Sequence, residues 1–154
     1  MSNKKNVKEQ YRGIDYLRQI TLEIAQNTGA NYTLIGSKNP ENEIVKTLVK
    51  RKGLELVDNM VYKISNGPCA PMLSNGQNIY PENVQKHFPL HSLIDQLNIE
   101  GYVGLPLYSI DKSKLIGVVI ILFSEKINHP KKLEKYLTNL APRIELELDR
   151  ILLT

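Results

Sequence analysis

The chain reads as an α+β fold: helix-periodic segments at both ends, short strands between them, and a proline-punctuated middle. Two observations carry most of this. Leu115–Phe123 contains no polar side chain. A strand covered on one side alternates apolar with polar, so this one is expected to be covered on both. Leu115, Val119, Ile121 and Phe123 would form one face, and Ile116, Val118, Ile120 and Leu122 the other. Its β-branched content and short length favour a strand. Just upstream, residues 101–107 read as a second strand. The short polar segment 110–114 between them makes an antiparallel hairpin the cheapest connection.

The remaining elements follow in order. Residues 7–28 predict a helix, with Ile14, Leu17, Thr21 and Ile24 at three-four spacing and Tyr16 and Ile20 widening the stripe. Gly29 is placed to stop it. Residues 30–35 predict a strand, 36–42 a loop, and 43–50 a second strand in which Val45, Thr47 and Val49 share a face. A turn at Lys52-Gly53 and a strand over 59–64 come next. Residues 65–100 hold no long element. Gly67-Pro68 and Tyr80-Pro81-Glu82-Asn83 each open a short helix, the second ending before Pro89. Asn75-Gly76 makes a turn, and Ser92 with Asp95 caps a third short helix over 93–97. Irregular segments of this length are typically binding loops or lids. His129-Pro130 then opens a long helix carrying Leu133, Leu137, Leu140, Ile144, Leu148 and Ile151. Pro142 should kink or split it near 139–141. Glu145, Glu147, Asp149 and Arg150 are assigned to its other faces, and Leu146, Leu152 and Leu153 are surplus apolar surface.

Composition narrows the function classes. At 154 residues the chain is expected to be one domain, 1–154, with terminal helices at about 7–28 and 130–153. The net charge is +4, but the lysines are scattered apart from Lys50-Arg51-Lys52. Nucleic-acid binding would want a basic stripe with aromatic platforms, so no nucleic-acid partner is expected. The longest apolar run falls short of the ~20 residues that cross a bilayer, and the first residues lack a signal-peptide core, so no membrane partner is expected. Cys69 is the one cysteine. It allows no internal disulfide, and a cytoplasmic location fits best.

Several pieces, taken in order, resemble GAF domains. They are Gly67-Pro68-Cys69, Tyr80-Pro81-x-x-Val84, Phe88-Pro89, the run 99–107 (Ile-Glu-Gly-Tyr-Val-Gly-Leu-Pro-Leu), and Leu115-Ile116-Gly117-Val118. The segment 141–150 is similar to the exit helix of such domains, with Pro142 as a departure. The resemblance runs from about Tyr16 to Arg150 and is closest to GAF modules of bacterial signalling proteins. It implies a PAS-related antiparallel sheet of five or six strands, terminal helices on one face, and loops and short helices on the other around a ligand cavity. It also implies homodimerisation through the terminal helices and coupling, in cis or in trans, to an output domain such as a histidine kinase or diguanylate cyclase of a two-component system.

The chemistry expected on this basis is binding rather than catalysis. Tyr32, Tyr62, Cys69, Tyr80, His87 and Tyr102 form the candidate ligand-binding set. A thioether-linked bilin usually has a histidine beside its cysteine, and Ala70 follows Cys69 here, so Cys69 reads as an inert thiol. GAF-fold methionine-sulfoxide reductases work through cysteine pairs, which one cysteine cannot form within a chain. His87 and His91 have metal-ligand spacing for a helix, but Pro89 between them breaks it. His87 is the one candidate for an axial haem ligand. Ser92, His91 and Asp95 lack a nucleophile elbow, and neither a phosphate loop nor the cyclic-nucleotide constellation of GAF domains is present. No cofactor, metal or catalytic residue is therefore expected. The alternatives are a ligand-free dimerisation scaffold and a small GAF-fold redox enzyme.

Overall fold

The computed structural model describes residues 11–39, 41–64, 78–88 and 98–153. The elements are α1 (Gly13–Thr28), β1 (Tyr32–Lys38), β2 (Ile44–Lys52), β3 (Glu55–Leu56), β4 (Val61–Lys63), β5 (Asn78–Tyr80), the single-turn α2 (Val84–His87), β6 (Gly101–Tyr108), β7 (Leu115–Phe123) and α3 (Pro130–Leu153). They build a seven-stranded sheet of order β3-β2-β1-β7-β6-β5, with β4 also pairing with β2. All pairings are antiparallel. The expected hairpin of β6 and β7 forms, in register from Gly101 with Phe123 to Leu107 with Gly117.

β7 lies between β1 and β6, and Val118 through Leu122 are wholly buried. One apolar cluster joins Val119 and Ile121 to α1 and α3 through Leu17, Ile20, Ile24, Leu137, Ile144 and Leu148. A second, on the opposite face, joins Val118, Ile120 and Leu122 to Leu34, Tyr62, Val84, Ile99 and Tyr102. The helices therefore cover one face of the sheet, and β4, α2 and the approach to β6 cover the other.

Two bulges reassign faces that simple alternation would fix. Register shifts between Leu107 and Tyr108, so that Ile116 is the extra residue on β7. Ile116 consequently packs with the helix-side cluster rather than with Val118. A second shift, between Ile35 and Gly36, inserts Leu48 into β2. Val45 then belongs to the second face and Val49 to the helix face, contrary to the expected common face. An inserted residue bends the strand and inverts the alternation beyond it.

Other boundaries also differ. β1 continues through Gly36, Ser37 and Lys38, which were expected to be loop. A Cβ at Gly36 would meet Val45 Cγ1 at 2.6 Å, so the glycine serves a tight strand crossing rather than a turn. Gly117 plays the same part against α3, where a Cβ would meet Leu148 Cδ2 at 2.5 Å. Gly29, at φ 71°, stops α1 as expected and donates its N–H to Ala25 O. The Lys52-Gly53 turn forms, with Gly53 at φ 59°. The features expected at 67–68, 75–76 and 93–97 lie outside the described residues.

The largest correction concerns α3 and its carboxylates. α3 runs through Pro142 without splitting. The loss of about 3 kcal/mol from an interior proline is offset by burying Leu137, Ile144 and Leu148, each contributing roughly 2 kcal/mol. Glu145 and Glu147, assigned from the sequence to faces other than the apolar stripe, are 5% and 0% exposed. Glu147 Oε1 accepts the N–H of Gly13 at 2.8 Å, and Oε2 accepts Arg143 Nε at 2.9 Å. It thus caps α1 from another helix. Arg12 is extended and offers no side-chain cap, so α1 begins at Gly13, later than the expected residue 7, of which 7–10 lie outside the described residues. Arg143 also lies over the Tyr16 ring, 4.4 Å from its centroid, and burial pushes that phenol up to about 12. Glu145 Oε2 accepts the N–H of Tyr108 at 2.7 Å, beside the β7 bulge, while its other oxygen pairs with Lys112. On the far side of α1, the buried Arg51 donates to Thr21 Oγ1, Arg18 O and Leu54 O.

Removing Glu147 takes the acceptor from the Gly13 N–H and the counter-charge from the part-buried Arg143, and a buried polar group left without its partner typically costs about 1–3 kcal/mol. Glu147→Ala is therefore expected to lower stability in urea denaturation by about that amount. Asp15→Ala, which breaks only an exposed pair with Arg18, should leave the midpoint unchanged.

Candidate functional site

The second face collects aromatic side chains from distant parts of the chain. Strand order is the cause. β1, β7, β6 and β5 are successive neighbours, so Tyr32, Tyr102 and Tyr80 stand on one surface. Tyr32 pairs with Leu122, Leu122 with Tyr102, and Tyr102 with Tyr80. Tyr62 joins them from β4, opposite Val45. Tyr62 and Tyr102 are buried, while Tyr32 and Tyr80 are half-buried and pack against the same cluster.

Tyr80 is the hub of the aromatic contacts. Its ring centroid lies 5.9 Å from Tyr102 and 5.5 Å from Phe88, both edge-on, and 6.0 Å from His87. Edge-on and tilted pairs of this spacing suit the ring quadrupoles. Tyr80 was expected to lead a helix; instead it ends a short strand and Pro81 follows it. That places its side chain against β6. The helix expected after it does form, as α2, and stops at Phe88 before Pro89.

Glu100 fixes this strap of residues 78–88 to the sheet. Its carboxylate accepts the N–H of Asn83 at 2.6 Å and Gln85 Nε2 at 3.3 Å. Its carbonyl accepts the Val84 N–H at 3.1 Å, and Pro81 O accepts the Ile127 N–H at 2.8 Å. Asn83 takes a left-handed conformation, φ 61°, to make the bend, a region that asparagine enters more readily than most residues. Sequence reasoning assigned Glu100 no functional role. Its signal was a carboxylate immediately before a buried strand.

The expected ligand set is thus partly assembled. Tyr32, Tyr62, Tyr80 and Tyr102 share one face. His87 is exposed, beside Tyr80 and Phe88. Cys69 lies outside the described residues, as do His91, Ser92 and Asp95. No group of three or more metal-binding side chains occurs among the described residues. Two clefts among the described residues lie elsewhere. One, of about 410 Å3, lies between the C-terminal end of α1 and the start of α3, and includes Tyr136 and His129. The other, of about 530 Å3, lies between the β1–β2 hairpin and the last turn of α3. Neither includes a residue of the expected ligand set. No helix among the described residues is long and apolar enough to cross a membrane.

No family profile and no curated protein sequence matches the chain. Solved structures do. The GAF domain of Acinetobacter phosphoenolpyruvate-protein phosphotransferase aligns at a TM-score of 0.74, covering 95% of this chain and 88% of that one. The chain has the GAF fold. A phycoerythrobilin-bound GAF domain from a cyanobacterial phytochrome aligns at 0.68, over 91% of this chain and 87% of its own. The free methionine-R-sulfoxide reductase from Neisseria meningitidis, in complex with its substrate, aligns at 0.74, over 96% and 84%. Identities are 15%, 13% and 13% respectively, so the likeness is one of fold. These neighbours include both a pigment-binding domain and an enzyme.

The two central tyrosines should differ in structural weight. Tyr102→Ala, at a fully buried position, is expected to cost about 3–5 kcal/mol in urea denaturation. Tyr80→Ala, at a half-buried one, should cost about 1–2 kcal/mol and leave the fold intact by circular dichroism.

Proposed function

We propose that the chain, read as one domain, is a non-catalytic GAF sensory module. It binds a small molecule on the second face of the sheet and regulates a signalling enzyme, such as a histidine kinase or diguanylate cyclase, in cis or in trans. The observation that supports this is the convergence of Tyr32, Tyr62, Tyr80 and Tyr102 on one surface, with Tyr80, His87 and Phe88 arranged as an aromatic wall at its edge. Half-exposed rings offer a flat apolar contact that a ligand with its own planar face can use. The ligand-binding set of Tyr32, Tyr62, Cys69, Tyr80, His87 and Tyr102 remains the proposal, with Tyr80 as its central contact. A similar GAF domain holds phycoerythrobilin, which supports the same fold serving a planar ligand here.

A molecule that prefers one arrangement of the strap shifts that arrangement's population. Glu100 ties the strap to β6, and Glu145 ties β6 to α3, giving a bonded route from one face to the other. The proposal includes a homodimer in the cytoplasm, formed through the terminal helices. Leu146 and Leu153, 37% and 79% exposed, are seven positions apart on α3 and so fall on one side of it. The same leucines favour the second reading, a dimerisation scaffold without a ligand.

Native mass spectrometry of the purified chain and of Tyr80→Ala tests the reading. A bound small molecule on the wild type, lost from the folded variant, is the expected result. A bare polypeptide mass, with no thermal stabilisation by any compound in a library of planar metabolites, would leave the scaffold reading.

A further inference from the structure

Lys38 brings to the second face a charge that the described residues do not match. It ends β1 opposite Val45, and Val45 belongs to the second-face cluster. Its side chain therefore leaves the sheet on that side, as does Leu34 four positions earlier. Tyr62 stands beyond Val45 in the same row, on β4.

Lys38 is 6% exposed, yet its Nζ donates only to Asn39 O, at 3.1 Å, and meets no carboxylate among the described residues. An ammonium carries three N–H donors, and burying it without a counter-charge is costly. Glu41 and Glu43, the carboxylates of the β1–β2 hairpin, are exposed, and neither pairs with it. Residues 65–77, which follow β4 in the chain, contain neither aspartate nor glutamate. Lys50, opposite Leu34, faces the same way and is half-buried. Among the described strand residues on this side, the one carboxylate is Glu55, opposite Lys52.

The lysine and the row of Tyr32, Tyr102 and Tyr80 mark two ends of one surface. Tyr32 and Lys38 are six positions apart on β1, which sets their Cα atoms roughly 20 Å apart at strand spacing. Leu34, Val118 and Ile120 make the ground between them apolar.

The following rests on the reading that the second face binds a ligand. We propose that this ligand is an organic anion, with an apolar or planar body lying toward the tyrosines and a carboxylate or phosphate group that meets the Lys38 ammonium. The Asn39 carbonyl occupies one N–H of that ammonium, and the anion takes the others. Charge-assisted bonds of this kind are about twice as strong as neutral ones. The lysine then weakens the empty domain and strengthens the occupied one, an exchange expected of a binding residue and not of a structural one.

Two measurements test this, and the first needs no ligand. Lys38→Met keeps the length of the side chain and removes its charge. Its midpoint in urea denaturation should lie above that of the wild type, because the uncompensated charge is gone. A lower midpoint, or failure to fold, would make Lys38 a structural residue and overturn the proposal. The second is an NMR titration of the whole chain with indole-3-butyrate, 1-naphthyl phosphate, indole-3-butyramide and indole-3-butylamine. The anions should give saturable amide shifts at Leu34 and Val118, with indole-3-butyrate about tenfold tighter than its amide and the amine weakest. The tighter anion identifies the head group. Lys38→Met should bring acid and amide to equal affinity. Lys46→Met, on the other side of the sheet opposite Ser37, should leave the preference for the acid unchanged. Equal affinity for acid and amide in the wild type would overturn the anion while leaving the second-face site in place. Saturable binding by none of the four would remove the site and the proposal with it.

Discussion

Burial of β7 on both sides is the constraint on which the structure depends. Val118 through Leu122 have no exposed surface, and five consecutive buried side chains project to opposite faces. Neither face can be left to water, so the chain must supply two covers. α1 and α3 provide one, and β4, α2 and the entry to β6 provide the other. The remaining topology follows from arranging two covers around one strand.

The covers are fastened differently. On the helix face, polar groups lock elements together beneath the surface. Glu147 caps α1, Glu145 holds the end of β6, and Arg51 joins β2 to α1. Each of these bonds uses a buried charged side chain, and hydrogen bonds to charge are stronger and harder to replace away from water. On the second face, the described strap is held by the β5–β6 pairing, the buried Val84, Glu100 and the Pro81–Ile127 bond, with the Tyr80 ring set edge-on against Phe88 and Tyr102. The proposed ligand binding rests on the half-buried aromatic edge of that face, around Tyr80.

Much of the architecture was legible in the sequence because it rests on uninterrupted hydrophobic pattern. Leu115–Phe123 cannot be mistaken for a half-exposed strand, the stripe from Leu133 to Ile151 survives its proline, and Gly29 ends α1 where it should. The order of motifs around Gly101-Tyr102-Val103-Gly104 was enough to place the fold. What escaped was of another kind. The bulges at Leu48 and Ile116 are backbone insertions with no residue signature of their own, yet each moved a side chain to the other face. Gly36 looked like a turn residue and is a close-contact residue. Glu145 and Glu147 fell on the other faces of the helix because periodicity separates apolar from polar, and cannot show that a neighbouring element needs an acceptor at that point. In the candidate site, the tyrosines could be named individually, but their meeting depends on strand order.

Native-state hydrogen exchange is the most direct test of the two-cover account. Amides of Val118 through Leu122 should exchange only through global unfolding, with the same free energy as denaturant unfolding, while those of β3 and β5 at the sheet margins exchange by local opening. Exchange of the β7 amides at rates matching those margins would mean that one of its faces is open to water, and the account would fail.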